Sequence, residues 1–348
     1  MVIKSGTVNH EKLANFSISA LRKVGVPQED AQITANLLVA TDLRGIDSHG
    51  AARFVLYIRG LKEGRINPKP QTKIYSRAPA TAVMDGDKGL GFVVGYRAMM
   101  EAIRRAEATG AGFVTVRNSS HFGAGGNYSM MALSHDMIGI SMTLGGIGMV
   151  APGSRGRGVG INVISIAAPS KEGAPFVLDM ATTVVASGKL EIAIREGKNI
   201  PEGWAVDDTG KPATDPKKYK EAQGALLPLG GRTETGAYKG FGLAVAVDIL
   251  CSVLSGAMAN AKSMSNHFFG ALRIDGFIPV EDFKTAMVEM AKAYRSLPKA
   301  PGVERITLAG EPEYEIEERR RREGIPLHPA VIASLQQIAK ELDIEYDL

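Results

Sequence analysis

The sequence is poor in cysteine and in uncompensated charge. Its 348 residues include a single cysteine, Cys251, so it offers no thiol pair for an internal disulfide or a cysteine-based zinc site. Cys251 lies in an apolar run, which is typical of a small core residue. The net charge is only +4, from 41 basic and 37 acidic residues, and this excess does not indicate nucleic-acid binding. An H-E-x-x-H motif is also missing, and we expect no metal.

Long hydrophobic runs are missing as well. No stretch of 18 consecutive apolar residues occurs, and the first residues, MVIKSGTVNHEK, lack the apolar region of a signal peptide. The sequence therefore predicts a cytoplasmic protein without membrane contact. With 45% hydrophobic residues, a chain of this length can bury a sizeable core. Its length suggests two domains.

Helical patterns occupy both ends of the chain, and strand patterns occupy the middle. The predicted helices span about 13–25, 27–43, 50–62, 92–109, 126–135, 184–197, 239–254, 280–295, 311–323 and 328–342. The predicted strands are 81–85, 112–118, 137–144, 162–169, 175–180, 269–275 and a short one near 303–308. We therefore expect an α/β domain (76–284) inserted in a mainly helical domain formed by 1–75 and 285–348.

The familiar nucleotide-binding motifs do not account for the glycine-rich segments. A Walker A sequence is absent, and the one match to G-x-G-x-x-A runs from Gly146 to Ala151. That fingerprint requires a helix to begin there, but Pro152 and Gly153 follow at once. A Rossmann unit is therefore not supported, and the glycines permit either tight turns or close approach to a ligand.

Three of the six histidines are candidates for chemistry. His10, His135 and His328 are interpreted as structural or surface residues, whereas His49, His121 and His267 lie in loops or at element ends. His121 is the strongest candidate, because it follows a predicted strand, and sites in open α/β sheets collect at carboxyl ends. An unperturbed histidine exchanges protons near neutral pH.

A possible anion-binding residue lies near His49. Arg53 follows His49 by four residues, which places both on one face if a helix includes them. Arg53 could hold a carboxylate by a two-point contact, although on spacing alone an ordinary surface arginine is the favoured interpretation.

The chain resembles the type 2 malate/L-lactate dehydrogenase family nearly from end to end. The resemblance rests on DLRGIDSHGAARFVLYIRGLKEGRINP (42–68), RNSSHFGAGGNY (117–128), VLDMATTVVASGKLE (177–191), IPEGWAVDDTGKPATDP (200–216), YKGFGLAVAVDIL (238–250) and AGEPEYEIEERRRREGIPL (309–327). It implies a non-Rossmann nucleotide-binding α/β domain inserted in a helical domain built from both termini. It also implies a homodimer or a larger homo-oligomer.

The resemblance assigns roles to particular residues. His121 matches the catalytic acid/base, Ser48 and His49 match active-site residues, and Arg53 matches the residue that binds the substrate carboxylate. The positions that match cofactor-binding residues are Asp179, Met180, Ala181, Lys239, Gly310 and Glu311. Asp179 could instead cap the following helix, and Lys239 could be a solvated lysine at a helix start.

Two departures from the family pattern affect the cofactor site. Leu144, Gly145 and Gly146 stand where relatives often carry polar residues that touch the cofactor, so Gly145 is a further candidate contact. Ile161-Asn162-Val163 stands where many relatives carry asparagine–proline. These departures leave the substrate, and the choice between NAD and NADP, open, with NAD favoured.

The resemblance implies an oxidoreductase that transfers a hydride between a nicotinamide cofactor and a small anionic 2-oxo or 2-hydroxy acid of the malate or L-lactate type. Reduction of a cyclic imine carboxylate such as Δ1-piperideine-2-carboxylate is an alternative, since the same groups would serve a C=N bond. An inactive ligand-binding protein is a third hypothesis. The presence of His49, Arg53, His121 and Lys239 argues against that third hypothesis.

Overall fold

The computed structural model describes residues 6–221, 224–257 and 265–348. Their α-helices are α1 (His10–Lys23), α2 (Gln28–Leu43), α3 (Phe54–Lys62), α4 (Gly91–Thr109), α5 (Gly126–Ser129), α6 (Ser187–Glu196), α7 (Pro216–Glu221), α8 (Ala237–Asp248), α9 (Val280–Arg295), α10 (Glu311–Glu323) and α11 (Pro329–Leu342). Their strands are β1 (Gly6–Val8), β2 (Lys73–Ala78), β3 (Thr81–Asp85), β4 (Ala111–Ser119), β5 (Met137–Thr143), β6 (Ile147–Met149), β7 (Val159–Gly160), β8 (Val163–Ala168), β9 (Phe176–Ala181), β10 (Ala205–Val206), β11 (Pro212–Ala213), β12 (Ala225–Leu226), β13 (Ser265–Arg273) and β14 (Ile325–Leu327).

A mixed sheet of seven described strands forms the centre of the molecule. Its order is β2-β3-β4-β13-β5-β8-β9, with β3 and β4 parallel and the other neighbours antiparallel. The crossover between the parallel pair is α4, whose buried residues recur at helical spacing: Val94, Ala98, Met99, Ala102, Ile103 and Ala106. That stripe packs on Val114, Val116 and Phe269 of the sheet. The α/β class expected from the sequence is confirmed.

A second sheet consists of five very short described strands in the order β11-β10-β12-β6-β7. Each strand has two or three residues, too few to produce an alternating pattern, and the sequence prediction missed all of them. The exposed strand β2, at the edge of the large sheet, was missed as well. The glycine fingerprint at 146–151 coincides with β6, and the next described α-helix begins only at Ser187.

Segments from both ends of the chain share one hydrophobic core. It combines residues between Val8 and Ile66, the start of α4, and residues from Ile325 to Ala339. β1 pairs antiparallel with β14, with Thr7 opposite Pro326. The domain boundaries at 75 and 285 remain a prediction. Among the described helices, none has the length and apolar character needed to cross a bilayer.

One local prediction was wrong: residues 303–308 form no strand and run as an irregular segment toward α10. The helix expected over 50–62 is present; it begins with a 3-10 turn, Ala51–Arg53, and becomes α-helical at Phe54. His49 precedes this helix, so the condition for a shared helical face with Arg53, one helix that includes both, is not met.

Candidate active site

The buried carboxylate of Asp42, at the end of α2, folds the following segment back on itself. Its Oδ2 accepts the backbone N–H of Ala51 at 2.7 Å. A Cβ on Gly50 would lie 2.0 Å from Asp42 Oδ1, so only glycine fits this close approach. Burial raises the pKa of Asp42 to about 7, although the bond from Ala51 opposes the shift. This fold-back gathers Ser48, His49 and Arg53 into one turn.

The backbone around His121 is held by the start of α4. The Gly91 N–H donates to Ser120 Oγ at 2.9 Å, and Ser120 Oγ donates to the Gly89 carbonyl at 2.9 Å. A Cβ on Gly91 would lie 2.4 Å from the His121 carbonyl oxygen, so the helix start touches the backbone that carries the histidine. His121 thus follows β4 on a fixed loop, at the carboxyl end where the sequence placed it.

His49 and His121 lie against each other, next to Arg53. Their rings are 5.6 Å apart between centroids and nearly parallel at 22°. Ser48 Oγ lies 2.8 Å from His49 Nδ1. Burial lowers the pKa of His49 to about 4, helped by the charge of Arg53. Surrounding protein atoms lower the pKa of His121 to about 3, helped by the neighbouring His49 and Arg53, while one part of His121 stays open to solvent. Both rings are therefore neutral at pH 7.

Tyr57 is a neighbour of His121 that the sequence analysis missed. Its hydroxyl lies 2.7 Å from His121 Nδ1, and its ring packs edge-on against Phe92 at 5.1 Å. Burial raises the pKa of Tyr57 well above its ordinary value. Tyr57 belongs to the buried side of α3 together with Phe54 and Ile58, so its spacing is that of a core residue. Only the helical offset of four residues from Arg53 could have drawn attention to it.

Arg53 is oriented by one contact and carries a second, looser one. Its Nε donates to the Ser48 carbonyl at 3.0 Å, which fixes the plane of the guanidinium. Its Nη2 lies 3.6 Å from Glu191 Oε1 on α6, and the two side chains are 25% and 58% exposed. A Cβ on Gly188 would lie 2.8 Å from Ser48 Cβ, so the start of α6 packs directly on this turn. Glu191, too, was missed by the sequence analysis.

Asp179 lies in β9 and faces the backbone that follows His121. Its Oδ2 accepts the Gly126 N–H at 2.7 Å, and a Cβ on Gly125 would lie 3.0 Å from its Oδ1. Burial raises the pKa of Asp179 to about 6, although the hydrogen bond from the Gly126 N–H acts to lower it. Because Asp179 bonds to this loop and not to the start of α6, the alternative that it caps that helix is wrong. Met180 and Ala181 follow it in β9.

The other candidate cofactor residues lie near the two ends of β9. At one end, the Val177 N–H donates to the Ala309 carbonyl at 3.0 Å, beside Gly310 with its φ of +94°. Glu311, next in the chain, is paired with Arg295. At the other end, Leu229 links Thr182, just past β9, to Gly240 in the first turn of α8 through backbone bonds of 2.9 and 3.0 Å.

Lys239 precedes Gly240 and is exposed. It pairs with no carboxylate in the described part of the chain, and its Nζ lies 5.9 Å from the centroid of the Tyr238 ring. Its ammonium group is therefore available to an anionic ligand.

Gly145 is held by neighbouring residues of its own chain. Its N–H donates to Asn162 Oδ1 at 3.2 Å, and a Cβ at this position would lie 1.9 Å from the Ile161 carbonyl oxygen. Asn162 is fully buried and also donates to the Ala244 carbonyl at 2.8 Å. Packing alone thus accounts for glycine at position 145.

His267 lies in the core. It is fully buried, its Nδ1 is 2.7 Å from Thr143 Oγ1, and its ring stacks on Phe122 at 4.6 Å. Burial lowers the pKa of His267 to about 3. Of the three histidine candidates, His49 and His121 come together, whereas His267 packs on Phe122, the residue after His121.

Comparison with known proteins gives one consistent result. The profile of the malate/L-lactate dehydrogenase family matches residues 8–336. The malate dehydrogenase of Pyrococcus horikoshii is 44% identical over 97% of this chain and 96% of its own. The L-sulfolactate dehydrogenase of Methanocaldococcus jannaschii is 41% identical, covering 97% of each.

Solved structures agree with the sequence comparisons. The malate dehydrogenase of Entamoeba histolytica superposes with a TM-score of 0.95 at 34% identity, covering 99% of this chain and 100% of the other. A more distant match is the Δ1-piperideine-2-carboxylate reductase of Pseudomonas syringae, with a TM-score of 0.83 at 25% identity, covering 96% and 100%.

Proposed function

The chain belongs to the malate/L-lactate dehydrogenase family, and we propose that it interconverts a small 2-hydroxy acid and its 2-oxo acid with a nicotinamide cofactor. The observation that carries this proposal is the placement of Arg53 beside the stacked pair of His49 and His121. A guanidinium beside a neutral imidazole provides the two functions that this reaction requires of the protein: one group holds a carboxylate, and the other exchanges a proton. We propose malate or L-lactate as the type of substrate.

Arg53 holds the substrate carboxylate. Its Nε is occupied by the Ser48 carbonyl, so the two Nη groups remain to form the contact. The loose ion pair with Glu191 is of a kind that contributes about 0–1 kcal/mol, and an incoming carboxylate displaces it at little cost. Ser48 and His49 border the same turn and contact the rest of the substrate.

His121 exchanges the proton of the substrate oxygen. Its lowered pKa keeps it neutral at pH 7, which suits a base that takes the hydroxyl proton of a 2-hydroxy acid. For reduction it must carry a proton. A carboxylate bound to Arg53 favours that state, because it compensates the positive charge that helps to lower the pKa of His121.

The surroundings of β9 fit a nicotinamide dinucleotide. Asp179 offers a carboxylate beside a backbone with two glycines, Gly125 and Gly126, and Lys239 offers an exposed cation near the carboxyl end of the strand. When bound, the cofactor accepts or supplies the hydride. Met180, Ala181, Gly310 and Glu311 would line its binding site, and Gly145 would contribute only through the shape of its loop. We favour NAD because a carboxylate suits free ribose hydroxyls.

We also propose the domain arrangement, the cellular location and the oligomeric state. Residues 76–284 form a non-Rossmann nucleotide-binding α/β domain inserted in a helical domain of 1–75 and 285–348, and the protein acts as a cytoplasmic homodimer or larger homo-oligomer. The shared core of Leu13, Leu38 and Leu335 supports the joining of the two ends.

A substrate screen tests the proposal. The purified protein is mixed with NADH or NADPH and with pyruvate, oxaloacetate or Δ1-piperideine-2-carboxylate, and the absorbance of the reduced nicotinamide is followed. We expect turnover of a 2-oxo acid, faster with NADH. Turnover of the cyclic imine alone would establish the reductase alternative, which the distant structural match favours. The absence of turnover with any compound, together with retained cofactor binding, would indicate a ligand-binding protein.

A further inference from the structure

One face of α10 packs against the segment that follows α2. The residues of this face recur at helical spacing: Ile316, Glu317 and Arg320. Glu317 forms an ion pair of 3.3 Å with Arg44, whose side chain is only 6% exposed. A Cβ on Gly45 would lie 3.1 Å from the side chain of Ile316, so the helix and the segment are in direct contact. The C-terminal part of the chain thus supports the turn that leads into the candidate site.

Arg320 holds the far end of this segment by a two-point bond. Its Nη1 and Nη2 donate to Oδ1 and Oδ2 of Asp47, at 2.5 and 3.2 Å, and Nη1 also donates to the Asp42 carbonyl at the end of α2. The Arg320 side chain is 11% exposed, whereas that of Asp47 is 56% exposed. A planar guanidinium that binds both oxygens of a carboxylate fixes its direction as well as its distance. The bond therefore fixes Asp47 relative to the end of α2.

Asp47 directly precedes the residue that orients Arg53. The Ser48 carbonyl accepts the Arg53 Nε–H at 3.0 Å, and Ser48 Oγ lies 2.8 Å from His49 Nδ1. The turn is closed by the His49 N–H, which donates to the Ile46 carbonyl at 2.9 Å. In so tight a turn, a shift of Asp47 carries the Ser48 carbonyl with it. The plane of the Arg53 guanidinium then changes as well.

We propose that Arg320 is a positioning residue for the substrate: its bond to Asp47 holds the turn so that the Nη groups of Arg53 meet the substrate carboxylate in one orientation. The inference rests on the proposed function, in which Arg53 binds that carboxylate. Arg320 acts through Asp47 and Ser48 and need not touch the substrate. Because a misplaced carboxylate also misplaces the reacting carbon, loss of the two-point bond weakens productive binding of the acid.

The cofactor should be affected much less. The contacts proposed for it on α10, Gly310 and Glu311, lie at the opposite end of the helix from Arg320. A change at Arg320 should therefore separate the KM for the acid from the KM for the cofactor, which a general loss of folding would not do.

Hydrogen exchange tests the local part of the proposal without any substrate. Mass spectrometry follows the peptide that contains residues 44–53. Arg320→Lys keeps the charge but loses the two-point bond, and we expect this peptide to exchange about fivefold faster. Arg305→Lys is the matched control, because Arg305 forms the same kind of two-point bond with Glu315 of α10, where both side chains are more than half exposed. In the control, exchange of the peptide should be unchanged.

Steady-state kinetics test the effect on the substrate. We expect Arg320→Lys to raise the KM for a 2-oxo acid about fivefold and to leave the KM for the cofactor unaltered. Asp47→Asn removes the same bond from its exposed side and should give the same result, so the proposal stays testable if Arg320→Lys fails to fold. Arg305→Lys should keep both KM values within about twofold.

A double-variant cycle separates positioning from general support of the fold. In an Arg53→Lys background the guanidinium that Arg320 positions is gone, so adding Arg320→Lys should raise the KM for the acid by less than about twofold. A full fivefold increase in that background would mean that Arg320 supports the fold as a whole, and the proposal would be wrong. Unchanged exchange of the peptide in both Arg320→Lys and Asp47→Asn would overturn it too.

The failure of the proposed function has a different signature. If the unaltered protein turned over no 2-oxo acid, the proposed function would fail, and hydrogen exchange would still decide whether Arg320 holds the turn.

Discussion

The two sides of the candidate site around Arg53 are built differently. On one side, the partly exposed His121 and the buried Tyr57 of α3 are joined by a 2.7 Å contact, and the start of α4 holds the backbone next to His121. On the other side, Glu191 of α6 is 58% exposed and lies 3.6 Å from Arg53. Proton exchange requires a fixed distance, whereas ligands that enter and leave require contacts that can be exchanged. Arg53 belongs to both sides, with a fixed Nε and a loosely paired Nη2.

The largest expected effect is that of removing the acid/base from the fixed side. His121→Ala should lower kcat by about 100- to 10,000-fold, the usual range for general acid–base catalysis, and leave cofactor affinity nearly unchanged. The measurement is steady-state turnover together with cofactor titration. His135→Ala, at a surface position paired with Glu107, is the control. A loss smaller than tenfold would move the role to His49.

Arg53→Lys tests the residue that joins the two sides. Lysine keeps the charge but loses the planar fork, and a misplaced carboxylate should lower kcat/KM for a 2-oxo acid by about 100-fold. Cofactor affinity should barely change. The variant should also discriminate less between the acid and its amide analogue in parallel assays. Weaker cofactor binding with an intact preference for acids would instead identify Arg53 as a nucleotide contact.

Near the end of β9, Lys239→Gln should raise the Kd of the cofactor by about tenfold, because it removes a charge-assisted contact, and should leave kcat at saturating cofactor nearly unchanged. Cofactor titration by fluorescence measures the effect. Lys171→Gln is a matched control at an exposed lysine paired with Glu281. If both variants bind the cofactor as the unaltered protein does, the interpretation of Lys239 as a solvated lysine is correct.

The smallest effect should come from Glu191→Gln. Because Glu191 competes with the substrate carboxylate for Arg53, its removal should lower the KM for a 2-oxo acid by about two- to fivefold, with kcat retained. Glu196→Gln removes the same charge five residues further along α6, where the side chain pairs with Lys198, and should leave KM unaltered. A higher KM in Glu191→Gln would mean that this carboxylate helps to bind the substrate.

Sequence reasoning was most successful where a local pattern carries the information. The stripe on α4 predicted a helix, and the strand before His121 predicted its place at a carboxyl end. The contact between His49 and His121 could not be read from the sequence, since the two residues are 72 positions apart and only the tertiary fold brings them together. The sequence linked Arg53 to His49 on the condition that one helix included both; the helix begins after His49, and the two side chains are neighbours because of the turn that precedes it.

What escaped prediction has physical reasons. Tyr57 follows the spacing of the buried residues of α3 because its ring is part of the hydrophobic core. Only its hydroxyl reaches His121, and spacing does not reveal that contact. Glu191 is one of several exposed glutamates, and nothing in its spacing distinguishes it. The strands of the five-stranded sheet have only two or three residues, which is too short to show the alternation of apolar and polar residues by which a strand is recognised.

The pairing of β1 with β14 determines when the protein can complete its folding during synthesis, because the two strands lie near opposite ends of the chain. Leu13 and Leu38 pack in the same core as Leu335 and Ile338, and Val8 lies opposite Ile325. At about 5–20 residues per second, the ribosome needs roughly 13–50 s to progress from Ile66 to Ile325. During that interval the apolar faces of α1 and α2 lack their final cover, and closing so long a loop slows the last step of folding. Nascent chains halted before α11 should therefore bind chaperones more strongly than the completed protein does.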